Sequence, residues 1–418
     1  MSTFRERRGR VNDKPPLTWH RAIVAAVVPY VACSTPIFLV GTLALRLRED
    51  LGIDEARLGG LIATFAVGGA ITAPTLGRVA ERLGPGLSLR LASFSSGIAM
   101  LTISVVAKSW LTLALLTAAA GASASFMQAS SNLWLARTMR GHRLGLAFGL
   151  KQSGGPAAAL LAGLAVPTLG IAIGWRWTFA GFGMFALLAT LSVPRVSLPL
   201  VEVRRARPTG DVSLRPLVVI TMGVAISTAV STSFTGFAVT AAVQQGGIGE
   251  SMAGFLFAAG ALTGIGTRIA LGHWVDHNTR RHFELPAMLV AAGAIGFLVL
   301  STGAAPAFVF GVPFSFATAW GWVGVFHHAL TRANNTSPAA ATGITLVGSN
   351  IGVIAGPAAF GLIFGRSFAA AWIVAAVGSV LGATVLAVGG RMIEKDKRPS
   401  GQLARNDSLG HSGTLKPK

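Results

Sequence analysis

Twelve apolar stretches recur along this chain, and no other feature limits its fold so tightly. They lie near 20–45, 57–77, 88–107, 110–136, 144–168, 174–194, 216–242, 251–272, 285–303, 306–330, 340–364 and 368–391. A run of about 20 such residues crosses the hydrocarbon layer as a helix. Lipid offers a bare backbone no hydrogen bonds, so each run must satisfy its own N–H and C=O groups, as a helix does. The expected fold class is an all-α membrane protein with about twelve transmembrane helices. Composition agrees: 52% of residues are hydrophobic and 12% charged, about half the charged fraction of an ordinary soluble domain.

The net charge of +20 invites a nucleic-acid reading, but the distribution of the basic residues argues for topology. With the N-terminus in the cytoplasm, 27 of the 35 Lys and Arg fall on the cytoplasmic side and six on the other, the bias of the positive-inside rule. Nucleic acid is therefore not an expected partner; the lipid bilayer is. No secretory signal peptide is apparent, because the first apolar run is long enough to stay in the membrane. Cys33 is the only cysteine, which excludes an intrachain disulfide and a cysteine-rich metal site. No cofactor and no metal are expected. The expected location is a bacterial-type plasma membrane, with both termini cytoplasmic.

The basic, Pro-containing stretch from Val193 to Pro216 splits the spans into two sets of six. The expected organisation is a basic N-terminus (1–19), a six-helix bundle (20–194), a linker (195–215), a second bundle (216–392) and a disordered tail (393–418). Local patterns repeat across the split. Gly77 and Glu81 follow the second span as Gly272 and Asp276 follow the eighth, 195 residues on. Gly155-Pro156 in the fifth span is matched by Gly356-Pro357 in the eleventh, 201 residues on. A duplicated six-helix unit is the arrangement of many secondary transporters.

On these motifs the chain resembles the major facilitator superfamily over residues 20–392. The family loop Gly-x-x-x-Asp-Arg-x-Gly is matched by Gly77, Glu81, Arg82 and Gly84, with Glu in place of Asp and with Pro85 and Gly86 where basic residues are usual. The second copy keeps Gly272, Asp276, Arg280 and Arg281, with His277 and Thr279 as departures. Gly155 and Pro156 match the fifth-helix motif of the family. The stretch "GLKQSGGP" is most similar to the cyanate and nitroimidazole-type permeases. Arg268, four residues before Gly272, resembles an Arg in the eighth helix of monocarboxylate carriers, although the acid those carriers have one turn earlier is here Gly264. The resemblance implies alternating access between two bundles, with the first, fourth, seventh and tenth helices lining the pathway. It also implies gating roles for the two Gly–acid loops and for both Gly-Pro pairs.

All fifteen Asp and Glu fall outside the span centres, whereas Lys151 and Arg268 lie within spans. Intramembrane charge is expensive and marks function by default, so the expected substrate is a small anion, organic or inorganic. Both cations have a competing reading, in which the long side chain snorkels to the interface. Gln152, Tyr30, Gln128, Asn132, Trp320 and Asn350 are further candidates for substrate contact, with Ser34, Ser231, Thr232 and Thr235 as weaker ones. A coupling proton, if one is used, falls to His327 or His328, because histidine titrates near neutrality. The chain has neither an HExxH metalloprotease motif nor a phosphate-binding loop, so it is not expected to be an enzyme. The alternatives that stay open are a proton-coupled exporter of drugs or metabolites and, more remotely, a membrane-embedded enzyme or sensor.

Overall fold

The computed structural model describes residues 18–139, 144–195, 213–277, 283–333 and 338–396. Helix α1 (Trp19–Thr42) is followed by a short α2 (Ala44–Leu51), then α3 (Glu55–Leu83), α4 (Pro85–Val106) and α5 (Trp110–Thr138). The fifth span is broken into α6 (Leu144–Gln152), α7 (Gly154–Ala165) and a π-helical turn at Val166–Gly170. Helix α8 (Trp175–Ala189) completes the first half. The second half holds α9 (Leu214–Gln244), α10 (Glu250–His277), α11 (Glu284–Ser301), α12 (Ala305–Ala317), α13 (Trp322–Ala333), α14 (Pro338–Phe364) and α15 (Phe368–Asp396). Helices α12 and α13 form one broken span. Among the described residues, 11 spans are long and apolar enough to cross a membrane. Helix α8, lengthened by a 3-10 turn at Thr190–Ser192, is a shorter twelfth.

Local chemistry sets the helix ends. The Asp54 carboxylate accepts from the Arg57 N–H at 2.8 Å and starts α3. Ser109 and Thr112 form a reciprocal capping box at the start of α5. At the α3–α4 turn Gly84 has φ of 80°, a left-handed value that a Cβ would disfavour. That turn gives a physical reason for the last Gly of the loop motif. Several acids expected in loops sit instead in the end turns of helices, Glu55, Glu81, Glu250 and Glu284 among them. None of these lies mid-span. Helix α2 was not anticipated; its Leu47 is fully buried while Glu49 and Asp50 are exposed.

The twelve spans form two bundles joined unevenly. Both chain ends of the described structure lie on one face, here the terminal face; the opposite one is the far face. Towards the terminal face each half has its own apolar core, one around Trp134 and Leu135, the other around Trp322 and Phe326. Towards the far face a single core draws on both halves, from Leu39 and Leu61 to Phe237 and Phe364. Glycines report the same asymmetry. A Cβ at Gly59 on α3 would lie 2.1 Å from the Pro357 carbonyl oxygen on α14. At Gly41 it would lie 2.9 Å from the Gly236 oxygen, and at Gly163 2.9 Å from that of Gly254. Three cross-bundle helix pairs therefore meet backbone to backbone on the far side. On the terminal side of these helices, Gly77, Gly149, Gly155, Gly266, Gly272 and Gly343 have no such neighbour within 4 Å. The bundles touch on the far face and part on the terminal face.

An ion pair reinforces the joined side. Arg46 Nη2 and Nε of α2 lie 2.7 and 3.1 Å from the two carboxylate oxygens of Glu250, at the start of α10. This fork spans the bundles. Its hydrogen bonds hold the Arg46 guanidinium above its ordinary pKa, so Arg46 stays charged. Arg48 pairs with Glu55 beside it, and the Glu55 backbone packs against Gly361 of α14.

Candidate functional site

Between the parted halves lies a cavity of about 320 Å³. Its walls come from α1, α3, α5 and α6–α7 in one bundle and α9, α10, α13 and α14 in the other, with Trp320 from the break before α13. The first bundle contributes apolar side chains, including Ile37, Phe38, Ile62 and Phe65, while the second contributes a hydroxyl-rich surface. Tyr30, Gln128, Gln152, Arg268 and His327 supply most of the remaining polarity.

Arg268 bridges the two broken spans. Its Nη1 donates to the backbone oxygen of Gln152 at 3.1 Å, and its Nη2 to that of Trp320 at 2.8 Å. Gln152 is the last residue of α6, and Trp320 lies in the break between α12 and α13. Breaks leave carbonyls without helical partners, and the planar guanidinium reaches one from each bundle. A second carbonyl in the α12–α13 break, that of Ala319, accepts from the Ser231 hydroxyl on α9. Trp320 also lies beneath the guanidinium, 4.9 Å from its ring centroid, within cation–π range. Phe38 meets that indole edge-on at 5.6 Å from the opposite bundle. Backbone dipoles offset part of the Arg268 charge, and no carboxylate pairs with it among the described residues.

Lys151 does not snorkel. It is 0% exposed and turns inward from α6 to α5. Its Nζ donates to Gln128 Oε1 at 2.6 Å and to Asn132 Oδ1 at 3.0 Å, and lies 4.3 Å from the Tyr30 ring centroid. Gln128 and Asn132 are one turn apart on α5, so both present to the same side. Gly154 allows this packing, since a Cβ there would sit 2.6 Å from Tyr30 Cδ1. Lys151 itself is outside the cavity wall; Gln128 and Tyr30 stand between the ammonium and the cavity.

The other candidates divide. Gln152 and Trp320 line the cavity; Asn132 holds Lys151 from behind it; Asn350, half-buried on α14, is not part of the wall. His327 is in the wall, with Nδ1 2.8 Å from the Val323 oxygen. That fixes the proton on Nδ1 and leaves Nε2 as the other hydrogen-bonding position. His328 is outside the wall. Gly155 borders the cavity, Pro156 is buried behind it, Pro357 is built into the far-side joint, and Gly356 packs against Ala229 of α9 in its own bundle. Glu81 and Arg82 are exposed at the end of α3 and form no ion pair among the described residues. The Asp276 side chain and Arg280 lie outside what is described. Sequence reading did not single out Phe38, Phe65, Thr228, Thr345 or Ser349 as wall residues. Only the helical phase of each apolar span could have done so.

A two-bundle, all-helical membrane protein with a central cavity closed on one face has the build of a secondary transporter. The Major Facilitator Superfamily model matches residues 30–357, and the chain belongs to that family. Solved structures of the same fold include a bacterial homologue of the human lysosomal transporter Spinster, inward-facing and unoccupied. It is 14% identical, with 93% of this chain and 99% of that one covered and a TM-score of 0.70. A D-xylose–proton symporter is 16% identical over 88% of this chain and 97% of its own, with a TM-score of 0.73. The nucleoside transporter NupG is 13% identical over 88% and 98%, with a TM-score of 0.67. The search of curated proteins found no significant match. The chain is a multi-pass membrane transporter and not an enzyme.

Proposed function

We propose that the protein carries a small anion, organic or inorganic, across a bacterial-type plasma membrane by alternating access, and that the described state is inward-open. The positive-inside count assigns the terminal face to the cytoplasm. One observation carries the anion reading. Arg268 on the wall is half-buried, Lys151 just behind it is fully buried, and every carboxylate described within the spans' helices sits at a helix end. A low-dielectric cavity with that imbalance attracts negative charge.

Lys151 acts through its neighbours. It accepts no direct contact from the cavity, but it orients the Gln128 amide oxygen towards itself, which turns the Gln128 NH₂ donors away from the ammonium. Arg268 is the direct ligand, with three of its five N–H groups outside the two carbonyl bonds. The proton-coupled exporter remains the rival reading, with His327 as its carrier on the wall.

A melting-temperature screen on purified protein separates them. A ligand that binds only the native state stabilises it by about 2.7 kcal/mol at 100 times its Kd. At least one anion of an organic and inorganic set is expected to raise Tm in the parent and to lose that effect in Arg268→Ala. Shifts with cationic drugs alone, unaltered in Arg268→Ala, would overturn the anion reading.

A further inference from the structure

The hydroxyl wall has a polarity that narrows the substrate further. Cavity-lining Thr232 donates its hydroxyl proton to the Thr228 oxygen at 2.8 Å, and Thr235 donates to that of Thr232 at 3.1 Å. On α14, Thr345 donates to the Thr342 oxygen at 3.1 Å; on α1, Ser34 donates to that of Tyr30 at 2.8 Å. The Thr232 and Ser34 contacts fall inside the ordinary O–H···O range, and those of Thr235 and Thr345 are longer and weaker. In all four the carbonyl can only accept, so the hydroxyl is the donor. A hydroxyl has one proton and two lone pairs. Each of these four oxygens has committed its proton to its own helix and faces the cavity as an acceptor only. The N–H groups of Arg268 have the opposite sense. The cavity therefore has a cationic donor end at Arg268 and, elsewhere on its wall, four hydroxyl oxygens turned to acceptors, beside Thr228, Ser349, Gln128 and His327.

We infer that the transported anion bears hydrogen-bond donors of its own: it is a hydroxylated organic acid, its carboxylate at Arg268 and its hydroxyls on the Ser34, Thr232, Thr235 and Thr345 oxygens. This rests on the anion reading above and goes one step beyond it. An inorganic anion without an O–H, such as sulfate, or an unsubstituted fatty acid brings no donor to that wall. Its entry strips water from the four oxygens and returns nothing, and a site built to hydrogen-bond a hydroxyl discriminates strongly against the analogue that lacks one. The apolar first-bundle wall, with Ile37, Phe38 and Phe65, then meets the carbon skeleton.

The test uses full-length purified protein and six probes: gluconate, hexanoate of equal chain length, the neutral polyol sorbitol, sulfate, and the smaller pair lactate and propionate. Affinity is read by isothermal titration or Tm shift. Gluconate is expected to bind at least about tenfold more tightly than hexanoate, sorbitol and sulfate. Thr232→Val keeps the shape and removes the acceptor; it should bring gluconate down to within about threefold of hexanoate. Thr232→Ser should restore the preference, which a merely structural defect would not allow. Lactate against propionate repeats the comparison in a smaller pair. Hexanoate and propionate binding as tightly as their hydroxylated partners would overturn this inference while leaving the anion reading intact. Sorbitol matching gluconate, with neither affected by Arg268→Ala, would overturn the anion reading and this one with it. Thr232→Val leaving the gluconate preference unchanged counts against the acceptor wall directly.

Discussion

Gly59→Ala is the sharpest probe of the far-side joint. The added methyl carbon would stand 2.1 Å from the Pro357 oxygen and 2.9 Å from its carbonyl carbon. Comfortable contact begins near about 3.5 Å, so α3 and α14 must separate by roughly 1.4 Å. Neither obstructing atom is the end of a flexible side chain, and no rotamer change relieves the clash. Overpacking of this kind costs about 1–3 kcal/mol. The cost falls on the state in which the far face is joined, so the ratio of far-open to far-closed molecules should rise about 5- to 150-fold. Spin labels at Lys108→Cys and Arg366→Cys, both exposed on the far face of opposite bundles, read that ratio as a distance distribution in a Cys33→Ala background. Gly59→Ala should add a longer-distance population. Gly77→Ala, where a Cβ meets nothing within 4 Å, should not. If the two alanines give superimposable distributions, the backbone joint is not what holds the far face closed.

Three further outcomes follow from the geometry. The Arg46–Glu250 fork is partly exposed, at 33% and 17% of its side-chain surfaces, so a double-mutant cycle of Arg46→Ala and Glu250→Gln should give a coupling near about 1 kcal/mol that shrinks in high salt. Lys151→Met strands the Gln128 and Asn132 oxygens and should lower Tm and weaken anion binding; Lys151→Met with Gln128→Leu and Asn132→Leu should recover much of the Tm but not the binding. Gly154→Ala drives a methyl into the Tyr30 ring, so anion affinity should fall several-fold through the displaced Tyr30, measured by the same Tm-shift titration.

The spans were legible because length and hydropathy decide them: all twelve expected stretches coincide with described helices to within a few residues, as at Trp110–Thr138 and Phe368–Asp396. The oddness of Lys151 and Arg268 was legible too, since a charge in an apolar run stands out whatever its environment. Orientation was not. Lys151 and Gln152 are neighbours about 100° apart on a helix, and one faces α5 while the other faces the cavity. The surrounding Ala, Leu and Gly are apolar on every side, so no moment fixes the phase of such a helix. The fifth-span break was legible in part: Gly154, Gly155 and Pro156 allow a bend, and Pro156 has no N–H for the Gln152 carbonyl four residues earlier. The break at Thr318–Gly321 was hidden, because those residues look no different from residues inside an intact helix. What binds the freed carbonyls, Arg268 and Ser231, is remote in sequence. Asn350 was a fair candidate by cost of burial, yet on its turn of α14 it is the neighbouring Ser349 that lines the cavity.

The far-side joint has a consequence for leakage. Side-chain rotamers exchange in picoseconds to nanoseconds, whereas collective displacements of whole helices take microseconds to milliseconds. A barrier made of exposed side chains rearranges on the fast scale. Here Gly41 on Gly236, Gly59 on Pro357 and Gly163 on Gly254 are main chain against main chain, with no rotamer to flip. Such a barrier opens only when entire helices move, on the timescale of the transport cycle itself. At these three contacts the seal and the conformational step are one event.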